Sequence, residues 1–150
     1  MKKIPAIIPA RCGSKRLLRK NILPFCGHPL IAWAIMRAKY CKYVDDVWLT
    51  TDDDEIAEIG EKYGARIIRR PDWPEPDKLS AFMPTVHAIE QIRHHYDFDI
   101  HTIPLPTDPV FHPWDYDRLF ERYFEIEKKD SKTNYLKMLY ELSHREERFG

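Results

Sequence analysis

A short apolar run followed at once by a cation-rich loop constrains this chain more than any other feature of its sequence. The run covers residues 4–10 (I-P-A-I-I-P-A) and stands between Lys3 and Arg11. An isoleucine-rich run of this length predicts a strand buried on both faces, as in a parallel sheet. Open α/β sheets bind ligands at the carboxyl ends of their strands, so the loop that follows is the first candidate for a site.

The loop after this run combines Gly13 and Ser14 with five cations. Turned backbone N–H groups and Lys or Arg donors converge well on anionic oxygens, so the loop predicts a polyphosphate site. A nucleoside triphosphate is therefore the first hypothesis for its ligand. The loop fits neither the Walker A pattern nor G-x-G-x-x-G. The five cations are Arg11, Lys15, Arg16, Arg19 and Lys20.

The charges are divided unevenly along a chain of 150 residues, a length that suits one domain. Ten Lys and Arg residues precede Asp45, and all 24 acidic residues lie from Asp45 onwards, although the net charge is zero. A basic N-terminal third in a neutral protein indicates a local anion site rather than nucleic-acid binding. Three further cations are interpreted as a solvated face of the first helix: Arg37, Lys39 and Lys42.

The sequence predicts a cytoplasmic protein with no membrane partner. No apolar run approaches the roughly 20 residues that a membrane helix needs, and the N-terminus makes a poor signal peptide. The three cysteines, Cys12, Cys26 and Cys41, show no C-x-x-C spacing, which is typical of reduced thiols. The seven histidines follow no recognisable metal-ligand spacing.

Strand and helix patterns alternate four times, which predicts an α/β fold with a parallel sheet and helices on both faces. Residues 1–130 are expected to form this domain, and residues 131–150 a polar helical tail. Residues 21–29 are expected to be irregular, and a proline-rich loop follows the third strand. The strands are predicted at 4–10, 46–51, 65–69 and 98–105, and the helices at 30–43, 52–63, 80–96 and 112–129.

Several polar residues near these boundaries have two interpretations. Asp52 with Glu55 fits a capping box at the start of a helix as well as a ligand role. Arg70 is either a phosphate contact or an ordinary surface arginine, and Ser80 either a ligand or the cap of the helix after it. Gly64 is predicted to be the C′ residue that ends the second helix.

Five segments, in order, resemble one enzyme family. Residues 9–21 (P-A-R-C-G-S-K-R-L-L-R-K-N) look like the nucleotide-binding signature of the cytidylyltransferases that activate sialic acid and related nonulosonic acids as CMP-sugars. Similar matches follow through about residue 125, and L-P-T-D-P at 105–109 resembles the family's Q-P-T-S-P. The other matching segments are residues 23–35, 49–65 and 69–71.

The resemblance implies a three-layer α/β/α Rossmann-like sandwich of the nucleotide-diphosphosugar transferase type, here truncated. It implies transfer of CMP from CTP to a nonulosonic acid-type sugar, with release of pyrophosphate and with Mg²⁺ bridging phosphate oxygens. No nucleic-acid partner is expected, and a homodimer is the oligomer considered.

The resemblance also assigns roles to individual residues. Arg11, Lys15 and Lys20 would hold the triphosphate as catalytic residues, and Asn21 would position the nucleotide or the neighbouring loop. Asp108 stands close to a metal-binding aspartate of related sugar cytidylyltransferases and is the expected Mg²⁺ ligand. The expected nucleotide-binding set is Ala10, Arg11, Gly13, Ser14, Lys15, Lys20, Asn21, Arg70 and Ser80.

Two departures from the family pattern keep other functions open. Leu105 stands where the family has a glutamine near the base, and leucine has no group that can hydrogen-bond a cytosine edge. A related sugar nucleotidyltransferase with another base or sugar is therefore one alternative. Residues 126–150 match nothing in the family's second half, so a catalytically inactive nucleotide-binding remnant or partner is the other.

Overall fold

The computed structural model describes residues 2–11, 13, 17–71, 73, 82–109 and 112–129. It divides into two compact units, Met1–Pro113 and Trp114–Gly150. The first unit holds all the described strands, and the described part of the second is the helix that begins at the boundary. The predicted polar tail at 131–150 lies outside the described residues, so a domain boundary at residue 130 stays a prediction.

The elements follow the predicted alternation of strands and helices. A single 3-10 turn, Lys20–Ile22, lies in the connection after the first strand. The elements are β1 (Pro5–Pro9), β2 (Pro24–Phe25), β3 (His28–Pro29), α1 (Leu30–Tyr40), β4 (Asp46–Thr51), α2 (Asp54–Lys62), β5 (Arg66–Arg69), α3 (Met83–Arg93) and α4 (Pro113–Lys129).

The main sheet is parallel and has the order β1-β4-β5. On the other edge of β1, Thr102 pairs with Ala6 in a parallel bridge. The amide of Ile7 donates to the Thr102 carbonyl at 2.8 Å, and the Thr102 amide donates to the Pro5 carbonyl at 3.1 Å. The chain therefore moves outwards from β1 to β5 and then returns to its other side, which makes the carboxyl end of β1 the switch point of the sheet.

The predicted fourth strand at 98–105 is wrong in its extent. Among the described residues of this segment, Thr102 alone pairs with the sheet. Pro104 and Pro106 follow closely, and proline has no N–H to donate to a strand ladder. The pairing therefore ends after a single bridge.

Alternate residues of β1 enter two different cores, which confirms that this strand is buried on both faces. Ala6 and Ile8 pack with residues of α1 and α2 on one side. Ile7 packs with Ala88 and Ile92 of α3 on the other side. The first unit therefore has the predicted three layers, with α1 and α2 on one face of the sheet and α3 on the opposite face.

The first turn of α2 is capped by Asp53, one residue later than predicted. The Asp53 Oδ1 atom accepts a hydrogen bond from the Ile56 amide at 2.8 Å, as an N-cap side chain does. The expected pair of Asp52 and Glu55 is therefore wrong as a capping box. Asp52 precedes the cap, and Glu55 lies within the first turn.

The C-terminal end of α2 confirms the prediction for Gly64. Its φ is +84°, a left-handed conformation that a residue without Cβ adopts most readily. The Gly64 amide donates to the Glu61 carbonyl and the Ala65 amide donates to the Gly60 carbonyl, both at 2.9 Å. These two bonds form a Schellman motif, which stops the helix directly before β5.

Three further segments differ from the prediction. Residues 21–29 are not wholly irregular, because β2 and β3 form an antiparallel hairpin whose Cys26-Gly27 turn has φ values of +48° and +84°. Helix α1 ends at Tyr40 rather than residue 43, since Cys41 is extended. Helix α3 starts at Met83 rather than residue 80, with Pro84 in its first turn as predicted, and α4 matches its predicted range.

An aromatic cluster closes the amino edge of the sheet, opposite the edge where β1 ends. The Trp48 Nε1 atom donates to the Tyr96 hydroxyl at 3.1 Å, and Lys3 Nζ lies 4.9 Å from the centre of the Tyr96 ring. Burial is the main cause that raises the pKa of Tyr96 to about 12. These contacts belong to the packing of β4 against the end of α3.

Gly60 provides a test of how closely α2 packs on the sheet. A methyl group at Gly60 would lie 2.9 Å from Ile67 Cδ1 and closer still to Leu49 Cδ2, and Leu49 is fully buried. Gly60→Ala should therefore lower the free energy of unfolding by about 1–3 kcal/mol, the usual cost of overpacking. Helix propensity alone predicts the opposite sign, a gain of about 1 kcal/mol.

Urea denaturation gives the free energy of unfolding of Gly60→Ala and so decides between a loss and a gain of stability. Glu58→Ala on the exposed face of α2 is the matched control and should change stability by less than about 0.5 kcal/mol. A Gly60→Ala variant as stable as the wild type or more stable would contradict the packing described.

Candidate functional site

The loop that leaves β1 begins at the carboxyl edge of the sheet. Ala10 is buried, and its amide donates to the Thr50 carbonyl at 3.0 Å, which extends the β1–β4 ladder by one residue. Arg11 and Gly13, which follow, are exposed. The first residues of the loop therefore face solvent directly beyond the buried end of β1.

Asn21 ties the far end of the loop to its beginning. Its side chain is buried, and its Nδ2 atom donates to the Arg11 carbonyl at 3.1 Å. Lys20, half-buried, begins the 3-10 turn that contains Asn21. Arg11 and Asn21, the two ends of the loop, therefore meet at the edge of the sheet. The predicted ligands Ser14 and Lys15 lie outside the described residues.

Arg70 follows β5 and lies against the end of β4. Its backbone amide donates to the Thr51 carbonyl at 3.0 Å, and its Nη2 atom donates to the Thr50 carbonyl at 3.0 Å. The Arg70 Nε atom also lies 3.4 Å from the Thr50 hydroxyl. The Arg70 guanidinium is thus held in one orientation at the same edge of the sheet as the loop after β1.

The charges around Arg70 connect it with the other two loops. Burial lowers the pKa of the Arg70 guanidinium, the negative charge of Asp52 opposes this effect, and the positive charge of Arg11 adds to it. The carboxyl ends of β1, β4 and β5 therefore place a cation, a carboxylate and a second cation within one electrostatic environment. Because the positive charge of Arg11 lowers the pKa of the Arg70 guanidinium, an anion bound near both cations would be stabilised.

Arg19 is one of the five loop cations predicted to bind polyphosphate, but its side chain contacts carboxylates of the protein instead. Its Nη2 atom lies 2.5 Å from Glu55 Oε2 and 3.6 Å from Asp53 Oδ1, at the start of α2. Arg19 is thus paired with carboxylates within the protein. Arg16, like Lys15, lies outside the described residues.

The loop after Thr102 is fastened by Arg37, a buried residue that the sequence interpretation placed on a solvated face. The Arg37 guanidinium donates to the carbonyl of Leu105 at 3.3 Å and to the carbonyl of Asp108. A signal was present in the sequence, because Arg37 lies one turn after the buried Ala34 on the apolar side of α1. Both Leu105 and Asp108 expose their side chains on this loop.

Lys39 in α1 and Lys42 just after it also contact other groups of the protein. Lys39 Nζ donates to the Tyr63 carbonyl at 3.2 Å, at the C-terminal end of α2. Lys42 Nζ lies 4.9 Å from the centre of the Tyr43 ring. Both residues are exposed, which agrees with their interpretation as part of a solvated face.

Carboxylates for a metal ion are sparse in the part of the chain that the structure describes. Within it, no group of three or more His, Cys, Asp or Glu side chains lies close enough together to hold a metal. Asp108 offers one exposed carboxylate, and Mg²⁺ often binds through one or two carboxylates with substrate phosphates as its other ligands. Asp108 fits a site in which Mg²⁺ is held jointly by a protein carboxylate and by substrate phosphates. Ser80 lies outside the described residues.

Comparison with known proteins identifies the family. A profile described as cytidylyltransferase matches residues 5–143, which is most of the chain. The chain belongs to the cytidylyltransferase family. The described residues contain no helix long and apolar enough to span a membrane.

Individual cytidylyltransferases match over different parts of the chain. An N-acylneuraminate cytidylyltransferase from Escherichia coli is 38% identical over 107 residues, which is 71% of this chain and 25% of that protein. A pseudaminic acid cytidylyltransferase from Campylobacter jejuni is 53% identical over 60 residues, which is 40% of this chain and 26% of that protein. The chain thus spans about a quarter of the length of these two relatives.

A solved structure agrees with the fold. CMP:2-keto-3-deoxy-manno-octonic acid synthetase complexed with CTP superposes with a TM-score of 0.68 and is 26% identical in sequence. The superposition covers 88% of this chain and 49% of that one. The Rossmann-like α/β fold of the nucleotidyltransferases, predicted here in truncated form, is therefore confirmed.

Arg37→Met should destabilise the protein, because it removes the buried donor to the Leu105 and Asp108 carbonyls and leaves the loop after Thr102 without its anchor. We expect the free energy of unfolding in urea to fall by about 2–3 kcal/mol. Limited proteolysis should also become faster in residues 105–109.

Lys39→Met is the matched control, since it removes an exposed cation that also donates to one carbonyl. Its cost should stay below about 1 kcal/mol. Equal losses in the two variants would contradict an anchoring role for Arg37.

Proposed function

We propose that this chain is the CTP-binding part of a cytidylyltransferase that transfers CMP to a nonulosonic acid and releases pyrophosphate. The observation that carries the proposal is the bond between Asn21 and the Arg11 carbonyl, which brings the two ends of the cation-rich loop together at the switch point of the sheet, with Arg70 held at the same edge. The names of the relatives, which act on N-acylneuraminate and pseudaminic acid, support the sugar class. The related synthetase complexed with CTP supports the nucleotide.

In the proposed reaction a hydroxyl of the sugar acid attacks the α-phosphorus of CTP. The new O–P bond forms as the bond to the β-phosphate oxygen breaks, and pyrophosphate leaves. Neutralising phosphate charge is the main requirement of such a transfer. Arg11, Lys15 and Lys20 would meet it by holding the triphosphate, and the backbone N–H groups of Gly13 and Ser14 would bind its oxygens.

The remaining nucleotide contacts would come from the neighbouring strand ends. Arg70 would bind phosphate or cytidine, since Thr50 fixes its guanidinium in place and fewer rotamers are lost on binding. Asn21 would act by keeping the loop closed through the Arg11 carbonyl. Ala10 would contribute through its backbone at the end of β1, and Ser80 through its hydroxyl.

Mg²⁺ would be held by Asp108 together with phosphate oxygens, and it would supply charge neutralisation and orientation of the triphosphate. A cytoplasmic location and a homodimer belong to the same proposal. The reduced state expected of the three cysteines supports the first.

The charge contacts of the loop can be tested by nucleotide binding alone. Arg11→Ala and Lys15→Ala should each weaken CTP binding by about 1–3 kcal/mol, because each removes a charge-assisted contact to phosphate. Isothermal titration calorimetry measures the dissociation constants. Lys42→Ala, beyond the end of α1, is the matched control and should bind CTP as the wild type does. Unchanged affinity in both loop variants would place the site elsewhere.

The reaction itself is tested by incubating the protein with each of the four nucleoside triphosphates, Mg²⁺ and a panel of nonulosonic acids. Pyrophosphate release that requires both CTP and a nonulosonic acid is the expected result. A preference for a purine triphosphate would contradict the assignment of CTP and would agree with the loss of a base-reading side chain at Leu105. Binding of CTP with no pyrophosphate release would contradict catalysis by the chain alone.

A further inference from the structure

Arg19 has a backbone conformation that is unfavourable for an arginine. Its φ of +52° and ψ of +30° lie in the left-handed region, at the residue directly before the 3-10 turn. For a residue other than glycine this conformation costs on the order of 1 kcal/mol, and it persists where the surroundings hold it. The side chain of Arg19 shows what holds it.

Two carboxylates at the start of α2 bind the Arg19 guanidinium. Glu55 Oε2 lies 2.5 Å from Nη2, and Asp53 Oδ1 lies 3.6 Å from the same nitrogen. Asp53 is itself fixed, because the same oxygen caps α2 through the Ile56 amide and its side chain is only 11% exposed. Asp53 therefore anchors this contact on the connection between β4 and α2, while Glu55, the nearer carboxylate, reaches from the first turn of α2 with a side chain that is 58% exposed.

This ion pair and the Asn21 bond hold the loop at two neighbouring points. Arg19 connects the loop with α2, and Asn21, two residues later, connects it with the Arg11 carbonyl. The left-handed turn at Arg19 directs the chain into the 3-10 turn that carries Asn21. Loss of the ion pair would remove what holds that turn, and with it the bond between Asn21 and the Arg11 carbonyl.

We propose that Arg19 is a positioning residue for the loop that binds the triphosphate, and that it acts through Glu55 and Asp53 rather than by contact with phosphate. The inference rests on the proposed function, in that residues 11–21 bind polyphosphate. Its chemistry is preorganisation: residues 19–21, at the end of the loop, are held in place before the ligand arrives, so less of the binding free energy is spent on ordering them.

The charge balance separates this role from direct phosphate binding. Removing the negative charge of Glu55 favours any nearby anion on electrostatic grounds, and it would release Arg19 to bind phosphate. A direct role therefore predicts tighter triphosphate binding in Glu55→Gln. A positioning role predicts weaker binding, because the loop loses its attachment to α2.

The experiment measures the affinity for inorganic tripolyphosphate and for CTP by calorimetry in Arg19→Asn, Glu55→Gln and the double variant. Asparagine tolerates the left-handed conformation, so Arg19→Asn removes the guanidinium with little added backbone strain. Each single variant should weaken binding about two- to fivefold, as expected for a partly exposed ion pair. The double variant should be no weaker than either single one. Thermal melts confirm that each variant is folded.

Glu58→Gln, an exposed carboxylate on the same helix, is the matched control and should leave the affinity unchanged. Tighter or unchanged binding in Glu55→Gln, with weaker binding in Arg19→Asn, would overturn the proposal in favour of direct phosphate contact. Binding that Arg11→Ala weakens but Arg19→Asn and Glu55→Gln leave intact would overturn this proposal alone. Failure of the wild type to bind either ligand would overturn the proposed function as well.

Discussion

Burial of β1 on both faces fixes where its following loop can lie. Ile7 packs into the core under α3 while Ala6 and Ile8 pack into the core under α1 and α2, so the strand is held between two helical layers. Thr102 on one edge and β4 on the other satisfy its backbone. The chain then leaves the sheet at the one edge where neighbouring connections diverge, which is where α/β sheets bind ligands.

One contact within the loop and one with α2 hold the described ends of the loop that starts there, and Arg70 lies at the same edge of the sheet. Asn21 closes it on the Arg11 carbonyl, Arg19 attaches it to α2, and Arg70 lies beside it on the end of β4. Arg19 is neutralised by its two carboxylates, whereas the positive charge of Arg11 lowers the pKa of the Arg70 guanidinium. An anion bound near Arg11 and Arg70 would relieve that unfavourable interaction. The same positions in the sheet carry the nucleotide chemistry proposed for this cytidylyltransferase family member.

Much of the fold could be predicted because its signals are local. Strand β4 matches its predicted bounds, and β1, α4 and the Gly64 cap follow from apolar runs and turn residues read over a few positions. The hairpin at 24–29 was missed because Cys26 is an unusual residue for a left-handed turn.

The roles of Arg37 and Arg19 depend on partners that lie 71 and 36 residues away, Asp108 and Glu55. No local pattern contains such partners, so the sequence alone placed both arginines with the solvated or ligand-binding cations. The contact between Asn21 and the Arg11 carbonyl could not be predicted from the sequence either. The glycine, serine and cations that make the loop suited to phosphate could be recognised from the sequence alone.

The proposed binding site for a nucleoside triphosphate is the carboxyl edge of the sheet, over the end of β1. Titration of the ¹⁵N-labelled protein with CTP and Mg²⁺, followed by two-dimensional NMR, tests that placement directly. Binding at this edge should shift the amide signals of residues 10–21 and of the residues around Arg70 most strongly. Shifts concentrated around Trp48 and Tyr96 at the amino edge, or no shifts at saturating CTP, would contradict this placement.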